Sequence, residues 1–187
     1  MKPNFLGRLL VTATLLASAG LAGAADNNHG GAIQPDAALT NAVRHAVVMY
    51  PRYSIFDDVY IQVSDGSVHL SGVVSEPFKK ADLDKIVRHV AGATAVQDDI
   101  RVLPLSPNDD RLRLRVARSI YGDVTMTKYA IQPLKPIHII VENGHVTLTG
   151  MVATNFDKQI AGTRAASSMS FGPVVNNLQV ENPPHKS

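Results

Sequence analysis

Apolar residues recur at every second position over two short stretches of the chain. Val59, Ile61 and Val63 lead into Asp65-Gly66, and Val68 and Leu70 continue the alternation beyond it. Ile139 and Val141 lead in the same way into Asn143-Gly144, followed by Val146 and Leu148. A period of two places such residues in one row on one face of a strand. Asp-Gly and Asn-Gly are preferred in two-residue type I′ turns, where both central residues need positive φ. The spacing therefore predicts two hairpins turning at Asp65-Gly66 and Asn143-Gly144. Counting outward sets Val63 against Val68, Ile61 against Leu70, Val141 against Val146 and Ile139 against Leu148. The other faces carry Tyr60, Gln62, His69 and Ser71 in the first hairpin, and His138, Thr147 and Thr149 in the second. Both are expected to stay open to water.

Helical spacing flanks each hairpin. Leu39, Val43, Ala46 and Val47 recur at helical intervals behind Asp36, which is expected to cap them. Leu112, Val116 and Ile120 repeat the pattern behind Asp109 or Asp110. A second helix is predicted from about Pro77 to Val90, capped by Ser75 and stopped near Gly92. Its counterpart runs from about Asn155 to Ser168. Closing strands are predicted near Val96–Val102 and Val174–Val180.

These two halves are copies. The segment Val59 to Gly72 returns as Ile137 to Gly150, 78 residues later. The same offset carries Val74 to Val152, Phe78 to Phe156, Val96 to Val174 and Val102 to Val180 without a gap. The preserved positions are mostly apolar or glycine, as a shared core requires. The expected fold is α+β: two tandem αββαβ domains, each a three-stranded mixed sheet covered on one face by two helices. Pro104 and Pro107 punctuate a short connector. The expected divisions are a signal peptide at 1–24, a disordered segment at 25–36, domains at 37–105 and 109–181, and a flexible tail at 182–187. In the second copy a long segment, Gly122 to Pro136, separates the first helix from the hairpin.

The N-terminus reads as an export signal. Lys2 and Arg8 precede an apolar run from Leu9 to Leu21, and Ala22-Gly23-Ala24 supplies a small-x-small cleavage pattern. The run is short for a membrane span, which takes about 20 residues, so a soluble chain starting near Ala25 is expected. The 18 Lys and Arg then lose two, against 16 Asp and Glu, and the exported chain is close to neutral. That argues against a nucleic-acid partner, which needs a broad basic field. With no cysteine, disulfides, thiol chemistry and Cys-ligated zinc are excluded.

The order helix, strand, strand, helix, strand, with its repeated V-x-V-x-[DN]-G-x-V-x-L-x-G hairpin, resembles the BON-domain family. The resemblance covers nearly all of the chain after residue 24. It implies non-catalytic modules of this fold, often exported and tandem, associated with envelope maintenance, osmotic stress and phospholipid surfaces. Many members have Val-Pro-Gly-Val before the last strand. Here the first copy reads Val90-Ala91-Gly92-Ala93 and the second Ser168-Met169-Ser170-Phe171.

No G-x-S-x-G elbow, phosphate loop or H-E-x-x-H helix is present, and neither a catalytic residue nor a cofactor is expected. The seven histidines form no i, i+4 pair. His138 and His145 share a strand face but sit apart in the counted register, so no metal site is expected; His145 could pair with Glu142 across the turn. Arginine is denser: Arg111, Arg113, Arg115 and Arg118 fall within eight residues. Arg111, Arg115 and Arg118 share one helical face at i, i+4 and i+7. Such a face is ordinarily solvated. In characterised tandem BON proteins the first helix of the second domain can meet anionic lipid, and the resemblance implies that role for these three arginines; an anionic glycan or protein patch satisfies the same chemistry. Tyr121 and Tyr129 are the neighbouring groups expected to insert. The alternative is a protein-interaction or chaperone-like stress protein that uses the open sheet faces, with envelope proteins as its partners.

Overall fold

The computed structural model describes residues 35–168 and 172–181. The expected signal segment and the tail at 182–187 lie outside them. The N-terminal domain runs α1 (Pro35–Val48), β1 (Asp58–Ser64), β2 (Ser67–Val74), α2 (Pro77–Arg88) and β3 (Ala95–Val102). The C-terminal domain runs α3 (Pro107–Tyr121), a 3₁₀ turn (Val124–Met126), α4 (Thr127–Ala130), β4 (Ile137–Glu142), β5 (His145–Val152), α5 (Asn155–Ala166), β6 (Val175–Asn176) and β7 (Gln179–Val180). In each domain the second strand is central, antiparallel to the first and parallel to the last. The fold is therefore two tandem α+β units with mixed sheets.

The hairpin register is the counted one in both domains: Val63 pairs with Val68, Ile61 with Leu70, Val141 with Val146 and Ile139 with Leu148. Asp65 and Gly66 have φ of 50° and 77°, Asn143 and Gly144 of 53° and 79°. Positive φ at both central residues makes these type I′ turns. The closing strand of the C-terminal domain is broken at Asn177-Leu178 without an inserted residue. Val68 pairs with Val96 in one domain, and Thr147 with Val175 and Val152 with Val180 in the other, each 28 positions apart.

Two helix-cap expectations are corrected. α1 begins at Pro35, so the last two residues of the expected disordered segment are helical, and Asp36 lies within the first turn. Its carboxylate instead accepts the Asp65 and Gly66 N–H groups at 2.9 and 3.1 Å. Asp109 does the same for Asn143 and Gly144, both at 2.8 Å. Each tight turn exposes two N–H groups, and a carboxylate from the first helix satisfies both. Ser75 is no cap either; the α2 cap position is Glu76, which makes no side-chain cap bond.

Ser75 belongs to a buried polar cluster instead. The Asp57 carboxylate, with no exposed surface, accepts from Ser54 N and Oγ, Ser75 N and Oγ, and Lys79 Nζ at 2.7–2.9 Å. The C-terminal domain inverts this pair. Position 79 becomes Asp157 at the repeat offset, and the cation now comes from Lys128, 2.8 Å away. The Ser75 N–H corresponds to that of Ala153, which donates to the Tyr129 hydroxyl at 2.7 Å. One place in the fold thus holds an acid before the hairpin with a base on the helix after it, then a base before the hairpin with an acid on the helix after it.

Candidate functional site

α3 presents two distinct faces. Leu112, Val116 and Ile120 are buried against the sheet. Ser106 caps the helix by accepting the Asp109 N–H, and Pro107 opens it where no N–H is needed. Arg113, at 3% exposure, points inward. It donates to the Val141 carbonyl at 2.8 Å and pairs with Asp110. It is a structural arginine, tying α3 to the outer edge of β4.

Arg111, Arg115 and Arg118 are all exposed on the opposite face. Arg111 donates to Asn108. The Arg115 and Arg118 side chains have neither ion pair nor hydrogen bond among the described residues. Leu114, 46% exposed, falls at i+3 from Arg111 and i−4 from Arg118, so it lies in the same stripe. This residue was overlooked in the sequence, although the arginine spacing itself points to it.

The two tyrosines are elsewhere, and the expectation that they insert is corrected. Tyr129 is 4% exposed, and its hydroxyl donates to Asp157 at 2.9 Å. The segment 122–136 turns back into the core to deliver it, together with Met126. Burial foremost, with the Asp157 hydrogen bond, raises the phenol above its ordinary value. For Asp157 burial acts toward a higher pKa, but hydrogen bonds from Lys128, Thr154 and Tyr129 outweigh it and hold the carboxyl below its usual range. Tyr121 is half-buried and spans the edge of β4, donating to the Ile137 carbonyl at 2.7 Å and accepting its N–H at 3.2 Å. Its burial raises the phenol too.

The open-face expectation holds for one sheet and fails for the other. Tyr60 is 54% exposed and His69 meets Asp99 at 2.8 Å on the N-terminal domain. On the C-terminal domain Ile140 and Thr149 are each 9% exposed. The N-terminal domain covers that side: Ile139 N–H donates to the Ile55 carbonyl at 2.7 Å, and the His138 ring meets the Asp57 carbonyl and Tyr53. Arg101 grips Glu142 through two bonds of 2.6 and 3.1 Å. Glu142 is therefore engaged by Arg101, and His145 lies instead against the Asn143 carbonyl at 3.2 Å. A cleft of about 470 Å³ remains between the domains, walled by Asp58, Tyr60 and Arg101 on one side and Glu142, His145 and Thr149 on the other. Among the described residues no group of three or more potential metal ligands converges.

The BON-domain family model matches residues 35–104 and again 109–182. The chain belongs to the BON-domain family. BON domains are in general binding modules without catalysis, and this chain carries two. No curated protein matches it. Among the solved structures that resemble it are two of CdsD, a structural protein of the type III secretion system of Chlamydia trachomatis. The CdsD C-terminal domain is 13% identical with a TM-score of 0.28, over 77% of this chain and 98% of that one. The second is 15% identical with a TM-score of 0.29, over 78% and 94%. Likeness at that level carries no functional argument.

Proposed function

We propose that this tandem BON chain is an exported, periplasmic binding module that contacts anionic phospholipid through the outward face of α3, in envelope maintenance or stress protection. One observation carries the reading. Arg111, Leu114, Arg115 and Arg118 form a single exposed stripe, while Arg113, the fourth arginine of the cluster, is turned inward for structure. Residues 1–24, with their charged start, apolar run and Ala-Gly-Ala site, support export. Among the described residues no helix is long and apolar enough to cross a membrane.

Each basic residue near an anionic surface contributes about 1 kcal/mol, fading within a Debye length. Three arginines give about 3 kcal/mol, too little for stable anchoring. Inserting Leu114 adds about 1 kcal/mol, because roughly half of that side chain is still available to bury. The contact is weak, reversible and sensitive to salt. Replacing Arg111, Arg115 and Arg118 together with Glu is expected to abolish co-sedimentation with phosphatidylglycerol vesicles. The fold should survive, which circular dichroism checks. Equal sedimentation of the variant and the parent would refute the lipid role.

The alternative is a protein partner on the open sheet face. It is favoured by Tyr60, a large side chain of that face that stays 54% exposed at the wall of the cleft between the domains. Tyr60→Ala separates the two, since it leaves vesicle binding unchanged in the lipid reading.

A further inference from the structure

The contact between the two domains is not symmetric, and both of its halves occur twice in the chain. In the contact as formed, the segment before β1 of the N-terminal domain seats on the outer edge of β4. The Ile55 carbonyl accepts the Ile139 N–H at 2.7 Å, and Ile55 and Phe56 pack on the C-terminal core. The Ile139 N–H is free for this because Ile139 and Leu148 form a pair whose hydrogen-bonding groups point away from each other.

The repeat supplies an unused copy of each half. The counterpart of Ile139 is Ile61, which pairs with Leu70 in the same register. Its N–H points out from the sheet and has no partner among the described residues. Beside it runs a groove of about 380 Å³ lined by Arg44, Val47, Val48, Tyr53, Ile61 and Gln62. The counterpart of Ile55-Phe56 is Pro133-Leu134. The equivalence is fixed by the glycines, since Asp58 O crowds Gly72 as Pro136 O crowds Gly150. Leu134 is 59% exposed, and Ile131, counterpart of Tyr53, is 77% exposed. A seating segment and a receiving edge are both left over.

We infer that a second copy of this chain occupies that edge: residues 131–135 of one molecule seat on β1 of the next, with the Pro133 carbonyl accepting the Ile61 N–H. The occupant is identified by continuity, because the contact already joining the two domains would simply be repeated between molecules. An exposed strand edge is a template for such addition. The contact is head-to-tail, so it generates open chains or rings rather than closed two-fold dimers. It uses neither Arg111, Arg115 nor Arg118, so it stands or falls independently of lipid binding.

Sedimentation velocity over a wide concentration range tests it on the full exported chain. The weight-average coefficient of the parent should climb with concentration, and that of Leu134→Asp should stay at the monomer value. The natural chain lacks cysteine, which allows a geometric check. The 6.0 Å contact between the Tyr53 and His138 rings has Ile131 and Tyr60 as its intermolecular counterparts. A mixture of Ile131→Cys and Tyr60→Cys proteins should be joined by a short bis-maleimide to a yield several-fold above either protein alone. A parent that stays monomeric at every concentration overturns the inference. So does association that Leu134→Asp leaves intact with no excess cross-link in the mixture, which would mean another surface.

Discussion

Replacing Asp57 with Ala is expected to destabilise the N-terminal domain by about 3–5 kcal/mol, the range for breaking a buried ion pair from one side. Lys79, whose side chain is 8% exposed, would keep its charge in the interior with only the Ser54 and Ser75 hydroxyls as partners. The Ser54 and Ser75 N–H groups would lose their acceptor as well. For a domain of this size each kcal/mol moves the melting temperature by about 4–8 °C, so urea titration and thermal melts should both show the change plainly. Lys128→Met in the C-terminal domain should cost far less. Lys128 is 50% exposed, and Asp157 keeps Tyr129 and Thr154 as donors. Equal, small losses for the two variants would show that the N-terminal cluster is solvated rather than buried.

That cluster also marks where reading the sequence stopped. The hairpins were legible because period-two alternation and the Asp-Gly and Asn-Gly pairs are local signals, and the 78-residue offset extended them over both domains. The partners of Ser75 and Tyr129 are not local. Ser75 looked like a helix cap because it precedes Pro77, yet its hydroxyl answers to Asp57, 18 residues earlier. Tyr129 looked available because it lies in a segment with no counterpart of equal length, and Asp157, 28 residues later, draws it into the core. The Lys79-to-Asp157 reversal is visible at the offset, but nothing in the sequence says that the position is buried. The cover over β4 was hidden for the same reason, since it depends on how one domain meets the other. Leu114 is different: it sits inside the arginine spacing and could have been found there.

Gly150→Ala is expected to cost the C-terminal domain about 3 kcal/mol or more. Gly150 has φ of 103°, a region that side chains rarely enter, at a cost of about 1–3 kcal/mol. A Cβ there would also stand 1.9 Å from the Pro136 carbonyl oxygen, which is backbone and already accepts the Met151 N–H at 3.1 Å. Strain and displacement therefore add. The turn glycine is a milder case: Gly144→Val should be worse than His145→Val, because only position 144 needs positive φ. Melts of the three variants should rank Gly150→Ala as most damaging and His145→Val as least. Gly150→Ala melting with the parent would contradict the close approach of β5 to Pro136.

The lipid contact can be watched directly, because the chain contains no tryptophan. Leu114→Trp places a single emitter in the centre of the arginine stripe. On titration with phosphatidylglycerol vesicles at low salt its emission should shift to shorter wavelength and become quenchable by brominated acyl chains. The shift should vanish with phosphatidylcholine vesicles, at high salt, or when Arg111, Arg115 and Arg118 are Glu. Emission that stays at the solvent-exposed wavelength with anionic vesicles at low salt would contradict membrane contact through α3.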